Sequence, residues 1–427
     1  MTLSADLWDR SLWFATAEEP APGVDAPEDA EVLVVGGGFS GLSTALHLAE
    51  RGVAVSLIEA CEIGFGASGR NGGQVIPGLK IDPAEMRSRW GPEAGGRLVA
   101  FAGGAADRVF ELIARFGIAC DASRHGWIQA AHSAIALRAV HARSREWEAE
   151  GVPVERLDAD AIASATGAGG YSGGWRDPRA GTLNPLSYAR GLARAAREAG
   201  ARIATGERVR RIVRDGAGWR LDLGDRSVTG RAVVLATNAY DTALAPRVAR
   251  SLLPVQSIVV ATEPLPEDIA ATILPGGACC SETRKLAFYF RLTRDRRFVI
   301  GGRGAVGAEH SESLQAELEK GMRRMFPQLR GARVDMAWSG HLALTMDGLP
   351  HLHQPQPGLW VLAGYNGRGV ALATAMGAAL AERLTEGTPL PLPETPVRPI
   401  AWHALRAPVM NLGVRYYWMK DKLGLAS

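Results

Sequence analysis

Cysteine is scarce in this chain. Cys61, Cys120, Cys279 and Cys280 are the four present. No spacing among them fits a zinc site, and neighbouring cysteines such as 279 and 280 rarely pair with each other. That argues against a disulfide scaffold and a bound metal, and for a reducing compartment. A charge excess of one sign is also lacking. The formal net charge is +3 over 427 residues, too small to call for nucleic acid or an acidic membrane as partner. Long apolar runs are missing: no stretch approaches the ~18 unbroken apolar residues of a membrane span. The opening MTLSADLWDRSLWF has no basic segment followed by an apolar run, so no signal peptide is expected. A cytoplasmic location follows as the expectation. No Ser/His/Asp or paired-carboxylate motif stands out.

What is present is an ordinary globular composition, 47% hydrophobic and 22% charged, enough for a core of the usual size. At roughly 150 residues per domain, two or three structural units are expected. Residues 15–30 read as an extended lead-in. The pattern is then helical from about 83 to 117, with apolar positions at Leu98, Phe101, Ala105, Val109, Leu112 and Ile113. GWIQAA at 126 reads as a short strand, and a helix closed by Gly151 follows it. LNPLSYARGLARAAREAG starts on an Asn-Pro signal and runs as a helix. RVRRIVRD, GWRLDLGD and RAVVLATNAY read as a meander returning to a strand apolar on both faces. Residues 250–305 look strand-rich, and EHSESLQAELEKGMRRMF looks helical.

The stretch EVLVVGGGFSGLSTALHLAERGVAVSLIEA, from residue 31, has the pattern strand, glycine turn, helix, strand, acid. Gly36, Gly38 and Gly41 fit G-x-G-x-x-G: the first allows a tight turn, the second a close approach to pyrophosphate, the third close packing of helix on sheet. The pyrophosphate would sit on the helix N-terminus. Glu59 ends the second strand, 18 residues after Gly41, where its carboxylate can accept from a ribose diol. An acid there argues against NADP and leaves NAD and FAD open. The next segment, CEIGFGASGRNGGQVIPG, holds six glycines in eighteen residues. So glycine-rich a loop suits close backbone approach to something large and flat. Ser68 and Arg70 are suited to phosphate oxygens.

Taken with these motifs, the chain resembles the D-amino-acid-oxidase-like flavoprotein superfamily from about Leu12 to its C-terminus. GFGASGRNGGQ is similar to its gamma-glutamylputrescine oxidoreductase-type members. GTLNPLSYARGLARAA, VLATNAY, VVATEPL, YFRLTRDRRFVIGGRG, WSGHLALTMDGLP and AGYNGRGVALATAMG occur in the family's order. The resemblance implies an α/β fold: a Rossmann-like FAD-binding domain (1–82, 150–245 and 336–427) with an interleaved α+β substrate domain on an antiparallel sheet (83–149 and 246–335). It implies FAD as cofactor. Gly36, Gly38, Phe39, Ser40 and Gly41 would face the pyrophosphate, with Glu59 and Ala60 at the adenosine ribose. Gly66, Ala67, Ser68, Arg70, Asn71, Gly72, Gly73 and Gln74 would run along the pyrophosphate and flavin ring. Val209 would touch adenine through its backbone, and Thr237 and Asn238 would border the cofactor. Gly364, Asn366, Gly367, Arg368, Gly369 and Val370 would cover the flavin pyrimidine edge, where a helix N-terminus can stabilise negative charge.

The implied reaction is oxidation of a C–N bond by hydride transfer to flavin N5, giving an imine that hydrolyses, with a gamma-glutamylputrescine-like substrate favoured. D-amino-acid dehydrogenase or N-methyl amino-acid oxidase is the alternative, and an electron-transfer subunit of a larger assembly is a reading of another class. Strand alternation places Tyr289 and Arg291 on one face, and Arg291 could hold a substrate carboxylate. His341 is a cavity candidate, and Arg368 could add positive charge at the flavin. Two departures from the sarcosine-oxidase branch matter. Gly340 stands near the cysteine that carries FAD covalently there, so the FAD is expected to be non-covalent. Val299 stands near that branch's oxygen-activating lysine, with Lys285 the one lysine nearby, so oxygen and a quinone both remain as electron acceptor. The C-terminal WHALRAPVMNLGVRYYWMKDKLG mixes aromatics with basic residues; docking on the protein's own body is favoured over peripheral membrane contact.

Overall fold

The computed structural model describes residues 8–240, 243–284, 286–303 and 312–422. Lys285, the opening seven residues and part of the segment before the 312 helix lie outside them. The elements that build the two main sheets, in chain order, are these. Strand β1 (Val32–Val35), helix α1 (Phe39–Ala49) and strand β2 (Val55–Glu59) come first. Helix α2 (Pro83–Phe116), which turns sharply at Gly91, leads to β3 (Trp127–Ala131), β4 (Glu155–Leu157) and β5 (Gly173–Asp177). Helix α3 (Pro185–Glu198), β6 (Arg202–Thr205) and β7 (Ala232–Leu235) follow. Next are β8 (Leu253–Thr262), β9 (Cys279–Glu282), β10 (Tyr289–Leu292), β11 (Phe298–Arg303) and β12 (Val334–Leu344). The chain then forms β13 (His351–Gln356), β14 (Leu359–Ala363), α4 (Gly369–Glu386) and α5 (Arg406–Lys422).

The first sheet has the order β13-β14-β7-β1-β2-β6, parallel except where β13 pairs with β14. Every residue of β1 and β7 is buried, as continuous apolar strands covered on both faces require. Helices α1, α3 and α4 stack on one face. Their approach is close: a Cβ on Gly377 would stand 2.6 Å from the Ser40 carbonyl, and Ser43 Oγ donates to the Thr374 carbonyl at 2.7 Å. A three-stranded meander over residues 211–230 covers the other face, and Trp219 and Leu221 fill that core.

The second sheet has eight strands in the order β12-β8-β11-β10-β9-β3-β5-β4, antiparallel except for the β9–β3 pair. One face packs on Phe290, Phe298, Phe326 and Met322; the other faces the first sheet's glycine-rich loop. Sheet membership departs from the boundaries expected at 150 and 336. β5, placed with the nucleotide domain, pairs with β3 and carries β4 on its other edge, and β12, from Val334 to Leu344, pairs with β8. The reason is physical: β3 needs a partner on its free edge, and the 155–177 segment supplies it.

The C-terminal segment is tied to the body at its start. Residues 400–403 are tied down, with Ile400 N–H donating to Arg250 and His403 Nε2 near the Leu252 carbonyl. Helix α5 beyond them leaves Val409, Leu412 and Tyr416 exposed. Among the described residues, no helix is long and apolar enough to cross a membrane.

Candidate functional site

One elongated cavity runs from the carboxyl ends of β1 and β2 to the inner face of the eight-stranded sheet. Its first part is the glycine turn. Gly36 has φ +111°, and a Cβ on Gly41 would lie 2.0 Å from the Gly36 carbonyl oxygen, so the turn closes only with glycine at both places. Gly41 does its work behind the turn rather than in the cavity wall. Gly36, Gly38, Phe39 and Ser40 line the cavity, and α1 begins at Gly38 with no side-chain cap. Its first-turn N–H groups therefore face the cavity as an anion-binding end, except that Phe39 N–H donates to Ser68 Oγ at 3.0 Å.

Glu59, expected at the ribose, ends β2 at the cavity wall. It accepts from Gly37 N–H at 2.6 Å and Cys61 N–H at 2.8 Å, and lines the cavity beside Ala60 and Val209. Burial pushes its carboxyl above the usual range while those N–H groups pull it back.

The loop after β2 also lines the cavity at Gly66, Ala67, Ser68, Arg70, Asn71, Gly72 and Gln74. Gly73 does not: it packs between Leu183 and Arg291. The loop's polar side chains are largely occupied in shaping the loop. Arg70 Nε donates to the Phe65 carbonyl at 2.7 Å and NH1 to the Ser339 carbonyl at 3.2 Å. Its guanidinium also lies over Phe65 and Trp8. Asn71 Nδ2 donates to Ala67 and Ser68, and its Oδ1 accepts from Gly73 N–H. Gln74 Nε2 donates to Cys280 and Phe290 carbonyls, fastening the loop to the eight-stranded sheet. Arg70, expected at a phosphate, is thus engaged in structural bonds while still lining the cavity.

At the other end the N-terminus of α4 opens into the cavity through Gly367, Arg368, Gly369 and Val370. Tyr365 Oη and Ser40 Oγ are 2.5 Å apart, which joins the starts of α1 and α4 across 325 residues. Asn366, at φ +53°, holds the turn by bonding Thr345 and the Gly364 carbonyl. Gly364 itself lies behind the wall, where its N–H donates to Asn238 Oδ1 at 3.0 Å. Thr237, Asn238, Tyr240, Gly340 and His341 complete this side. His341 N–H donates to Tyr240 Oη at 2.9 Å and the two rings meet edge to face. Burial and the Arg70 charge keep the His341 imidazole neutral by lowering its pKa.

Tyr289 and Arg291 do share a face of β10, as alternation requires, but only Tyr289 lines the cavity. Arg291 does not reach a substrate carboxylate there. It is buried beneath the 72–73 loop, with NH1 donating to Leu183 at 2.7 Å and Gly73 at 3.3 Å. The glycines that let the loop come close also shut this guanidinium away. Arg368 is buried too, with NH1 donating to the Pro77 carbonyl and its guanidinium 5.2 Å from the Trp127 ring centroid. Unlike Arg291 it remains in the cavity wall, turned toward the sheet. Val299 is buried in an apolar cluster with Trp338 and Val259, outside the wall.

Several lining residues escaped sequence reading: Trp127, Gln129, Ser281, Ser257, Tyr240 and Lys80. The alternation of GWIQAA put Trp127 and Gln129 on one face, but nothing local said which face met the cavity.

The described residues hold no group of three or more His, Cys, Asp or Glu able to bind a metal. None of the four cysteines lines the cavity. The residues fit a flavin dinucleotide: an acid beside a nucleoside-sized end, a tight cradle in which a Cβ on Gly38 would stand 2.8 Å from Ser68 Oγ, and a second helix N-terminus at the far end.

Comparison with known proteins agrees with the geometry. The family described as DAO, FAD dependent oxidoreductase, matches residues 31–383. Gamma-glutamylputrescine oxidoreductase of Escherichia coli is 33% identical, over 97% of this chain and 99% of that protein. A probable oxidoreductase OrdL of Haemophilus influenzae is 30% identical, over 97% of each. Among solved structures, glycine oxidase of Geobacillus kaustophilus superposes with a TM-score of 0.72 at 24% identity, covering 88% of this chain and 99% of that one.

Proposed function

Since the chain belongs to the DAO family of FAD-dependent oxidoreductases, we propose that it oxidises the C–N bond of an amine or amino acid, with gamma-glutamylated amines of the gamma-glutamylputrescine kind as the favoured substrates. FAD, when bound, supplies the two-electron acceptor that takes hydride from the carbon beside the nitrogen, and the imine released then hydrolyses.

The observation that carries this reading is the open cavity where the N-terminus of α4 meets the inner face of the eight-stranded sheet. A subunit given over to electron transfer would have that space filled by side chains. The chain's own residues orient the substrate and exclude water. Tyr289 and His341 flank the space. The neutral imidazole of His341 can accept a proton from an ammonium arriving in its charged form. Tyr289, held up at about 12 by burial, stays a phenol and does not compete for that proton. The first-turn N–H groups of α4 stabilise negative charge at the cofactor's edge. The 33% identity to gamma-glutamylputrescine oxidoreductase over nearly the whole of both chains supports the substrate class.

The test is anaerobic mixing of the FAD-loaded protein with gamma-glutamylputrescine, D- and L-amino acids, glycine and sarcosine, following loss of the flavin's visible absorbance. Rapid bleaching by a gamma-glutamylated amine is expected. If every compound leaves the flavin oxidised, the reading fails. Repeating the active case in air with a peroxide assay separates oxygen from a quinone as acceptor.

A further inference from the structure

With Arg291 closed off, the cavity needs another group to hold an acidic substrate end. One line of residues crosses the inner face of the eight-stranded sheet in register: Trp175, Gln129, Ser281, Tyr289, Gly301. Gln129, Ser281 and Tyr289 line the cavity. Gly301 leaves room for the Tyr289 ring, since a Cβ there would come within 2.1 Å of it.

The hydrogen bonds of this row are polarised. Gln129 Oε1 accepts from Trp175 Nε1 at 3.0 Å and from Arg143 NH1 at 3.1 Å. Both acceptor positions of the amide oxygen are used, which fixes the amide and turns its NH2 into the cavity. Ser281 Oγ accepts from Trp127 Nε1 at 2.8 Å, leaving its own O–H to donate. Two neighbouring strands, about 4.8 Å apart, thus present donors side by side, with the amide oxygen of Gln129 fully used and one lone pair of Ser281 Oγ taken by Trp127. The Arg368 guanidinium lies over the same Trp127 ring, and Lys80 lines the same cavity. The nearby acid, Glu282, follows Ser281 but is occupied: it bonds Arg284, Tyr171 Oη at 3.2 Å and Phe288 N–H at 3.1 Å, with its side chain fully buried.

We propose that Gln129 and Ser281, with Arg368 across the Trp127 ring, form a subsite for a carboxylate of the substrate. The paired donors favour an oxygen that accepts, and the guanidinium selects one that is charged. The subsite therefore favours amines that carry a carboxylate over simple amines and diamines. This deepens the proposed amine oxidation and rests on it for the identity of the ligand as substrate.

The probe is glutarate, which has no oxidisable amine, titrated calorimetrically into the FAD-loaded protein, with its uncharged diamide glutaramide alongside. The wild type is expected to bind glutarate at least tenfold more tightly than glutaramide. Gln129→Glu keeps the oxygens that Trp175 and Arg143 need but brings a negative charge to the cavity, and is expected to weaken glutarate binding at least tenfold. Ser281→Ala is expected to weaken it severalfold. Melting temperature and FAD content show that each variant is folded and loaded. Equal binding by both variants and the wild type, equal binding of glutaramide, or no glutarate binding to the wild type would each overturn the subsite. The two readings fail separately. Loss of glutarate binding in the variants with no amine bleaching the flavin removes the oxidase reading and keeps the subsite. Bleaching with unaltered glutarate binding does the reverse.

Discussion

The hydroxyls of Tyr289 and Ser257 lie 2.9 Å apart, and Ser257 Oγ donates to the Gly302 carbonyl at 3.1 Å. Serine has a single O–H, so the phenol is the donor to Ser257, and the remaining lone pairs of Tyr289 Oη face the cavity. They are placed to accept from a substrate N–H. Tyr289→Phe keeps the ring between Gly72 and Gly301 and removes that acceptor together with the bond to Ser257. At ~1 kcal/mol per neutral hydrogen bond, the KM for the amine should rise about fivefold in anaerobic flavin-reduction assays, with FAD content unchanged. Loss of FAD instead would give Tyr289 a structural role.

Glu59 accepts from two backbone N–H groups, those of Gly37 and Cys61. Glu59→Ala should release Gly37 and Cys61 N–H and remove the ribose acceptor together. Bonds to a charged group contribute roughly 1.5–3 kcal/mol, so FAD should bind about 10- to 100-fold more weakly, read as flavin fluorescence recovered on dilution. Unchanged FAD affinity would remove the acid from the nucleoside end.

Arg291 should matter to folding more than to substrate. Its charge is buried, and burial lowers its pKa to about 10, so it remains protonated at neutral pH while bonding the Leu183 and Gly73 carbonyls. Arg291→Met takes the donor from the Leu183 carbonyl, at roughly 1–3 kcal/mol, while the Gly73 carbonyl keeps Leu183 N–H at 2.9 Å. Thermal denaturation should begin several degrees earlier, with KM in the folded fraction nearly unchanged. A large KM rise at an unchanged melting temperature would restore the ligand role.

Flavin should leave the protein on acid precipitation. Gly340 lines the cavity where a tethering cysteine would be needed, and none of Cys61, Cys120, Cys279 and Cys280 reaches it. The supernatant should be yellow and the pellet colourless; a fluorescent protein band on a denaturing gel would contradict this.

Stability should fall in mild acid because of His353. The ring is fully buried, with Nδ1 2.6 Å from the Thr395 carbonyl and Nε2 without a partner. Burial lowers its pKa from 6.5 to about 4. The unfolded chain then binds the proton more readily than the folded one, so the contribution is complete above about pH 6.5 and is lost as pH falls toward 4. At ~1.4 kcal/mol per tenfold, the effect is on the order of 3 kcal/mol. Urea midpoints should drop across that window, and His353→Gln should flatten the drop. His351 and Asp347, 3.0 Å apart beside it, remain in the variant. An unaltered slope would move the effect to them.

The nucleotide end was legible in the sequence because its determinants are local. A buried strand, a glycine turn, a helix and a terminal acid follow one another within thirty residues, and each step is dictated by backbone sterics and burial. The helices at 83–116, 185–198 and 369–386 were legible for the same reason, their period and caps being properties of the segment itself. The sheet to which residues 155–157 and 173–177 belong was not, since a strand's partner is chosen by what lies on its open edge.

The substrate end depended on tertiary structure alone. Alternation correctly placed Tyr289 and Arg291 on one face, but only the approach of the Gly72–Gly73 backbone decided that one faces the cavity and the other is sealed beneath it. Gln129 and Ser281, 152 residues apart, become neighbours through strand register, and their donors are left for the cavity because Trp175, Arg143 and Trp127 donate to their oxygens. Sequence determines what each group can donate or accept; the fold determines which of those capacities its neighbours leave for a ligand.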